Sequence, residues 1–218
     1  MSEERFSFEL GAAKSSAVAY RAEGSRATLV LGHGAGAPQA HPWMVAMARA
    51  IAARGVEVVT FNFLYAEAKK KAPDRNDVLE ATWRAVLAKV RVPGRRLFVG
   101  GKSMGGRIAS QVAAHDDVDV AGVVLLGYPL HPPGKPEQLR TKHLPGVRAP
   151  MLFVQGSRDP FGGPGELAPF VAQLGGRARL FAVDGGDHSL VRPKSSGETP
   201  AATMARVADE VVRFVASP

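Results

Sequence analysis

The chain reads as an α/β domain, a mostly parallel sheet with helices on both faces. Three observations predict this. Short apolar segments alternate with amphipathic helical ones along the chain, the order that parallel strands and crossover helices require. Many of the strand candidates are continuous apolar runs, as Leu97-Phe98-Val99 is, and strands covered by helices on both faces look that way. The length, 218 residues, suits one α/β core, so a single domain over 1–218 is expected.

The elements follow in order. Residues 6–10 and 17–21 are short candidate strands, and 27–31 reads as a buried strand ending in glycines. A helix is predicted over 42–54, with Met44, Met47, Ala48 and Ile51 on one face and Gly55 as its C-terminal cap. Residues 56–63, rich in β-branched and aromatic side chains, form the next strand. Asp77 is expected to cap a helix running to about 90, on which Val78, Thr82, Val86 and Val90 recur every four residues. Strand 97–100 runs into Lys102-Ser103-Met104, and a helix follows to about 115. Residues 121–127 form another buried strand. Segment 128–150 is rich in proline and polar residues, with one helical turn expected near 137–142. Residues 151–155 and 178–183 are the last strands, with a helix over 166–174 between them. The final helix covers 200–216, with Thr199 as its cap, Pro200 in its first turn, and Met204, Val207, Val211 and Phe214 as its buried stripe.

Composition narrows the functional classes. Hydrophobic residues make up 45% and charged residues 22%, the balance of a globular protein. No apolar run approaches the ~18 residues of a membrane-spanning helix. The first residues carry acids where a secretory signal carries basic charge, so a cytoplasmic protein is expected. Cysteine is absent, which excludes disulfides and thiolate chemistry. The formal charge is +8, but the basic residues are spread along the chain. The densest run, Lys69-Lys70-Lys71, is too short for a nucleic-acid arm. Neither nucleic acid nor membrane is an expected partner.

The sharpest motif is Gly101-Lys102-Ser103-Met104-Gly105, a G-x-S-x-G between a predicted strand and a predicted helix. Such a turn holds a serine in a strained conformation that lifts its hydroxyl clear of the sheet, and glycines two positions either side allow the tight approach. A serine needs a base to become nucleophilic. In this architecture the chain order is nucleophile, acid, histidine. Asp159 follows strand 151–155, and His188 follows the last strand. Both therefore stand at carboxyl ends of strands, on the edge that carries Ser103. Of the six histidines, His33 and His41 precede the nucleophile, His115 lies near a helix end, and His131 and His143 lie in the connecting segment. Asp184 is the rival acid, while Asp187 adjoins His188 too closely to orient it.

The glycines of Gly32-His33-Gly34-Ala35-Gly36-Ala37 follow strand 27–31. A tetrahedral intermediate needs two backbone N–H groups aimed at its oxyanion. Met104 is the expected first donor. Ala35 is the expected second, with Gly34 as the alternative. This loop also fits a dinucleotide fingerprint, but the next strand ends in Phe61-Asn62-Phe63 without the acid that would hold a ribose. Gly101-Lys102-Ser103 resembles the end of a phosphate-binding loop, but the motif's first glycine position holds Arg96. No metal or organic cofactor is implied.

These motifs, G-K-S-M-G-G-R at 101–107 with H-G-A-G-A, F-N-F-x-Y and Q-G-S-R-D-P-F-G, resemble a small α/β-hydrolase family close to the dienelactone hydrolases. It includes the testis-expressed hydrolase-like proteins and the hydrolase-like domain of a chromatin acetyltransferase-complex subunit. The resemblance extends from about 27 to 215 and includes the segment from Tyr128 to Pro136. It implies an α/β-hydrolase fold with a minimal cap and the same Ser103, Asp159 and His188. The chain departs from the family pattern at Leu64, where proline is usual, and at Gln39-Ala40, where an acid is expected.

The expected activity is hydrolysis of a carboxylic ester or thioester through an acyl-enzyme, on a small-molecule acyl substrate. The short connecting segment predicts a shallow, open site, with Tyr128, His131 and Phe161 as candidate walls. Lys135, Arg140 and Lys142 would favour an anionic substrate or form a solvated basic face. The alternative is an interaction module that keeps the fold with weak or no catalysis; the three candidate catalytic residues argue against it.

Overall fold

The computed structural model describes residues 2–217. One eight-stranded sheet organises them, in the order β1-β2-β4-β3-β5-β6-β7-β8. Strands β1 (Ser2–Leu10) and β2 (Ala13–Arg21) form an antiparallel hairpin at one edge, and β2 pairs antiparallel with β4 (Glu57–Phe61). All remaining pairings are parallel, through β3 (Ala27–Gly32), β5 (Arg96–Lys102), β6 (Gly122–Leu126), β7 (Met151–Gly156) and β8 (Ala178–Val183).

Side chains alternate between two cores, as a period of two demands. Val30, Val99, Val123, Leu125 and Phe153 face α3 (Asn76–Val90), α4 (Met104–Ala113) and α5 (Pro164–Gln173), where Trp83, Ile108 and Leu167 are fully buried. Leu29, Leu31, Phe98, Val124 and Val154 face α1 (Pro42–Ala52) and α6 (Pro200–Ala216), with Met47, Ile51, Val207 and Val211. The predicted stripe of α1 is buried, as is that of α6 except for the half-buried Met204, and Thr199 caps α6 by accepting from the Ala202 N–H at 3.1 Å.

Several local expectations shift. β1 and β2 are longer than predicted, because their pairing satisfies backbone groups that weakly apolar ends do not advertise. The strand expected over 56–63 stops at Phe61, and Leu64–Glu67 forms a short helix, α2. Asp77 does not cap α3. It lies inside the first turn, paired with Arg75 at 3.1 Å, where an acid still favours the helix dipole. No helical turn forms over 137–142; a 3-10 turn at Leu144–Gly146 stands instead. Within β4, Glu57 is buried, and it is held by Arg21 at 3.0 Å and Arg95 at 2.8 Å.

The topology fixes where a ligand can sit. The chain leaves β3 toward β4 on one side and leaves β5 toward β6 on the other. The carboxyl ends of these neighbouring strands therefore open a crevice, the usual ligand position in open α/β sheets.

Candidate active site

Ser103 sits between β5 and α4 with φ +50° and ψ −117°, a region L-residues rarely occupy. Its N–H donates to the Leu126 carbonyl at 3.0 Å, which ties the turn to β6. The flanking glycines are required by close approach. A Cβ at Gly105 would lie 2.1 Å from the Gly32 carbonyl oxygen, and one at Gly101 would lie 2.2 Å from the same atom. Both contacts are with backbone and cannot be relieved by a rotamer change.

His188 and Asp159 converge on this serine from loops after β8 and β7. His188 Nε2 is 2.9 Å from Ser103 Oγ, and His188 Nδ1 is 2.8 Å from Asp159 Oδ2. The Asp159 side chain is inaccessible to solvent. Its Oδ1 accepts the Phe161 N–H at 2.9 Å, and its Oδ2 also accepts from Gln155 Nε2 at 2.9 Å. The Phe161 ring lies 4.3 Å from the imidazole, centroid to centroid. Asp184 is exposed and lies near the Ser157 hydroxyl instead, and Asp187 accepts the N–H groups of Ser189 and Val191.

The sequence motifs assign no role to Gln155. It is fully buried at the end of β7 and makes four polar contacts. Its Oε1 accepts the Tyr128 N–H at 2.8 Å, while Nε2 reaches Asp159, the Gly162 carbonyl at 2.7 Å and the Tyr128 carbonyl at 3.2 Å. The one signal for it was an amide closing an apolar run, where burial obliges hydrogen bonding.

His33, set aside because it precedes Ser103, organises the glycine loop. Its Nε2 accepts the Phe63 N–H at 3.2 Å, so its proton resides on Nδ1, which donates to the Gly34 carbonyl at 2.8 Å. Burial pushes its pKa down to about 4, against the opposing effect of the Gly34 bond. Because a trans peptide points its C=O and N–H in opposite directions, holding the Gly34 carbonyl also aims the Ala35 N–H.

Lys102 is a second unexpected member. It is 8% exposed, and its ammonium donates to the His188 carbonyl and lies 5.9 Å from the Trp43 ring centroid. Burial lowers its pKa to about 8, although Asp159 and Asp187 pull the other way. The Trp43 indole donates to the Ser189 carbonyl at 2.8 Å, fixing the same loop from another side.

A cavity of about 550 Å³ opens over Ser103, lined by both expected oxyanion donors, Ala35 and Met104, and by Phe161, Trp43, Arg107 and Arg140. Two expected walls are corrected. Tyr128 is buried beneath the site, its hydroxyl donating to the Arg140 carbonyl at 2.6 Å, so it supports the wall without forming it. His131 is also buried, bonding the Pro132 carbonyl at 2.8 Å and Glu166 at 3.1 Å, and it fastens the connecting segment to α5. The Pro132 carbonyl, then Glu166, raises its pKa, with burial opposing. Lys135 and Lys142 are exposed and do not line the cavity; Arg140 does.

A sheet with this crossover, a strained serine turn after its fifth strand and a histidine after its last define the α/β-hydrolase class. The chain belongs to the alpha/beta hydrolase domain family, which it matches over residues 25–216. Among solved structures it is similar to an alpha-beta serine hydrolase homologue from Coxiella burnetii, with TM-score 0.77 and 20% identity over 99% of each chain. It is similar to a serine hydrolase without a lid from Xanthomonas campestris, with TM-score 0.78 and 18% identity over 100% of this chain and 98% of that one. A dienelactone hydrolase from Anabaena variabilis gives TM-score 0.76 and 20% identity over 97% and 95%. At these identities the likeness is one of fold. Among the described residues, no helix is long and apolar enough to cross a membrane.

Proposed function

We propose that this chain hydrolyses a carboxylic ester or thioester through an acyl-enzyme on Ser103. The observation that carries the reading is the unbroken line from hydroxyl to imidazole to carboxylate, at 2.9 and 2.8 Å. Ser103 Oγ attacks the acyl carbonyl while His188 Nε2 takes its proton. Asp159 fixes the ring orientation and stabilises the imidazolium. The oxyanion that forms accepts from the N–H groups of Met104 and Ala35, each worth on the order of 3 kcal/mol of barrier. His188 then protonates the departing alkoxide or thiolate. Water, deprotonated by the same imidazole, attacks the acyl-enzyme and releases the acid.

The open cavity suits short or flexible acyl groups, and the lid-less description of the Xanthomonas neighbour is in keeping with it. A fluorophosphonate probe and nitrophenyl esters of graded chain length test the reading. Labelling is expected in the wild type and absent in Ser103→Ala. Ester turnover is expected to fall by at least about 10³-fold in His188→Ala. Folded wild-type protein that neither labels nor turns over any ester would leave the interaction module as the better account.

A further inference from the structure

The catalytic cavity carries more positive charge than its own chain neutralises. Three cations line it, Lys102, Arg107 and Arg140, against one carboxylate, Asp74. Lys102 is committed to the His188 carbonyl. Asp74 accepts the Tyr65 N–H at 2.9 Å. Neither arginine has a carboxylate within salt-bridge distance among the described residues. The Arg107 guanidinium has a contact with Gln111 Oε1 at 3.5 Å, the limit of a hydrogen bond, and that of Arg140 reaches the Pro129 carbonyl at 3.4 Å. Glu80, the acid whose charge reaches Arg107, is occupied by Asn76 at 2.5 Å and His115 at 3.3 Å.

The backbone of both residues is held in place. Arg107 stands one turn into α4, its N–H bonded to the Ser103 carbonyl at 3.0 Å. Arg140 is fixed at both backbone polar groups, donating to the Leu130 carbonyl at 2.9 Å and accepting from the Tyr128 hydroxyl at 2.6 Å. Burial disfavours the charge on Arg107, and repulsion from the Arg140 guanidinium adds to it. Two half-buried forks without an internal acid match a carboxylate, which accepts two parallel N–H bonds from one fork and keeps lone pairs for the other.

We propose that Arg107 and Arg140 form a carboxylate-binding subsite beside Ser103, and that the substrate is an ester or thioester bearing a free carboxylate. This rests on the hydrolase reading above and deepens it. Four chromogenic or titratable esters test it: 4-nitrophenyl hydrogen glutarate, with the carboxylate on the acyl side; 3-(butyryloxy)benzoate, with it on the leaving group; and neutral 4-nitrophenyl hexanoate and phenyl butyrate as their respective matches. In the wild type kcat/KM should favour at least one anionic ester over its match by about tenfold or more, and the preference should shrink at high salt. The ratio should fall toward one in Arg140→Gln and in Arg107→Gln, and Arg140→Lys, with charge but no fork, should recover only part of it. Calorimetric titration of Ser103→Ala with glutarate separates the two claims. Glutarate binding that is lost in the arginine variants, without turnover of any ester, would keep the subsite and sink the hydrolase reading. Turnover of the neutral esters with no anionic preference, or a preference that survives both Gln variants, overturns the subsite and leaves the hydrolase reading intact.

Discussion

Acidification should weaken this fold through His33, by an amount the structure sets. The imidazole is fully buried, with its Nε2 lone pair facing the Phe63 N–H. Protonation would place a second donor against that N–H and a charge in a dry interior. Its folded pKa is accordingly about 4, against an ordinary 6.5. Between these values the unfolded chain binds the proton and the folded chain does not, so stability falls as pH falls through this window. The loss amounts to about 2 kcal/mol by pH 5 and about 3 kcal/mol by pH 4. Urea unfolding of wild type and His33→Gln, followed by tryptophan fluorescence from pH 7.5 to 4, isolates it, because shared titrations cancel in the difference. The wild-type advantage should shrink by those amounts. A difference that stays constant over the range would show that the ring is not held neutral. It would then also remove the basis for an oriented Ala35 N–H.

Gln155→Leu should cost about 3–5 kcal/mol in urea unfolding, since it orphans the buried Tyr128 N–H and strips a donor from Asp159; a loss under about 1 kcal/mol would mean that water replaces the amide. Gly105→Ala should lower melting temperature and abolish probe labelling together, because the added methyl meets the Gly32 carbonyl at 2.1 Å, and wild-type labelling in that variant would show that the turn is not tightly packed. Lys102→Met should approach or exceed wild-type stability near pH 7, where the wild type buries an ammonium. Raising pH from about 8 to about 10.5 should then favour the wild type by up to about 3 kcal/mol, as the folded lysine is already neutral there while the unfolded one is not. A gap that does not change with pH would place that ammonium in solvent.

The sheet and the convergence of Ser103, Asp159 and His188 could be read from the chain, because each depends on local pattern. Buried parallel strands are apolar runs, and the three residues stand directly after such runs in a fixed order. What escaped depends on partners distant in sequence. Lys102 is buried by a tryptophan 59 positions before it and by a loop 86 positions after it, and in the chain it stands only as a variable residue of the serine motif and as the lysine of the phosphate-loop likeness. His33 was judged by its order relative to Ser103, which bears on proton transfer but not on loop support. Tyr128 and His131 belong to a segment without periodicity, so nothing local told which of its side chains face the cavity and which lie beneath it.

The site consists of two halves whose functional side chains meet at few points. Glycines at 32, 101 and 105 press β3 against the serine turn, so one packing arrangement sets both nucleophile and oxyanion loop. Asp159 and His188 come separately, from β7 and β8, and Gln155 fixes the acid to its own strand and to the segment after β6. Beyond the strand pairing of the sheet, three side-chain hydrogen bonds among the described residues join the halves: the 2.9 Å bond from imidazole to hydroxyl, the Lys102 ammonium on the His188 carbonyl, and Trp43 on the Ser189 carbonyl at 2.8 Å. A strained serine conformation costs about 1–3 kcal/mol and persists only where its surroundings over-determine it. Here the Leu126 carbonyl and the glycine contacts hold it from the serine's own half. Asp159 orients the imidazole, but the backbone that carries it is tied to the serine's half by Lys102 and Trp43, so a change at either should move His188 while Ser103 stays in place.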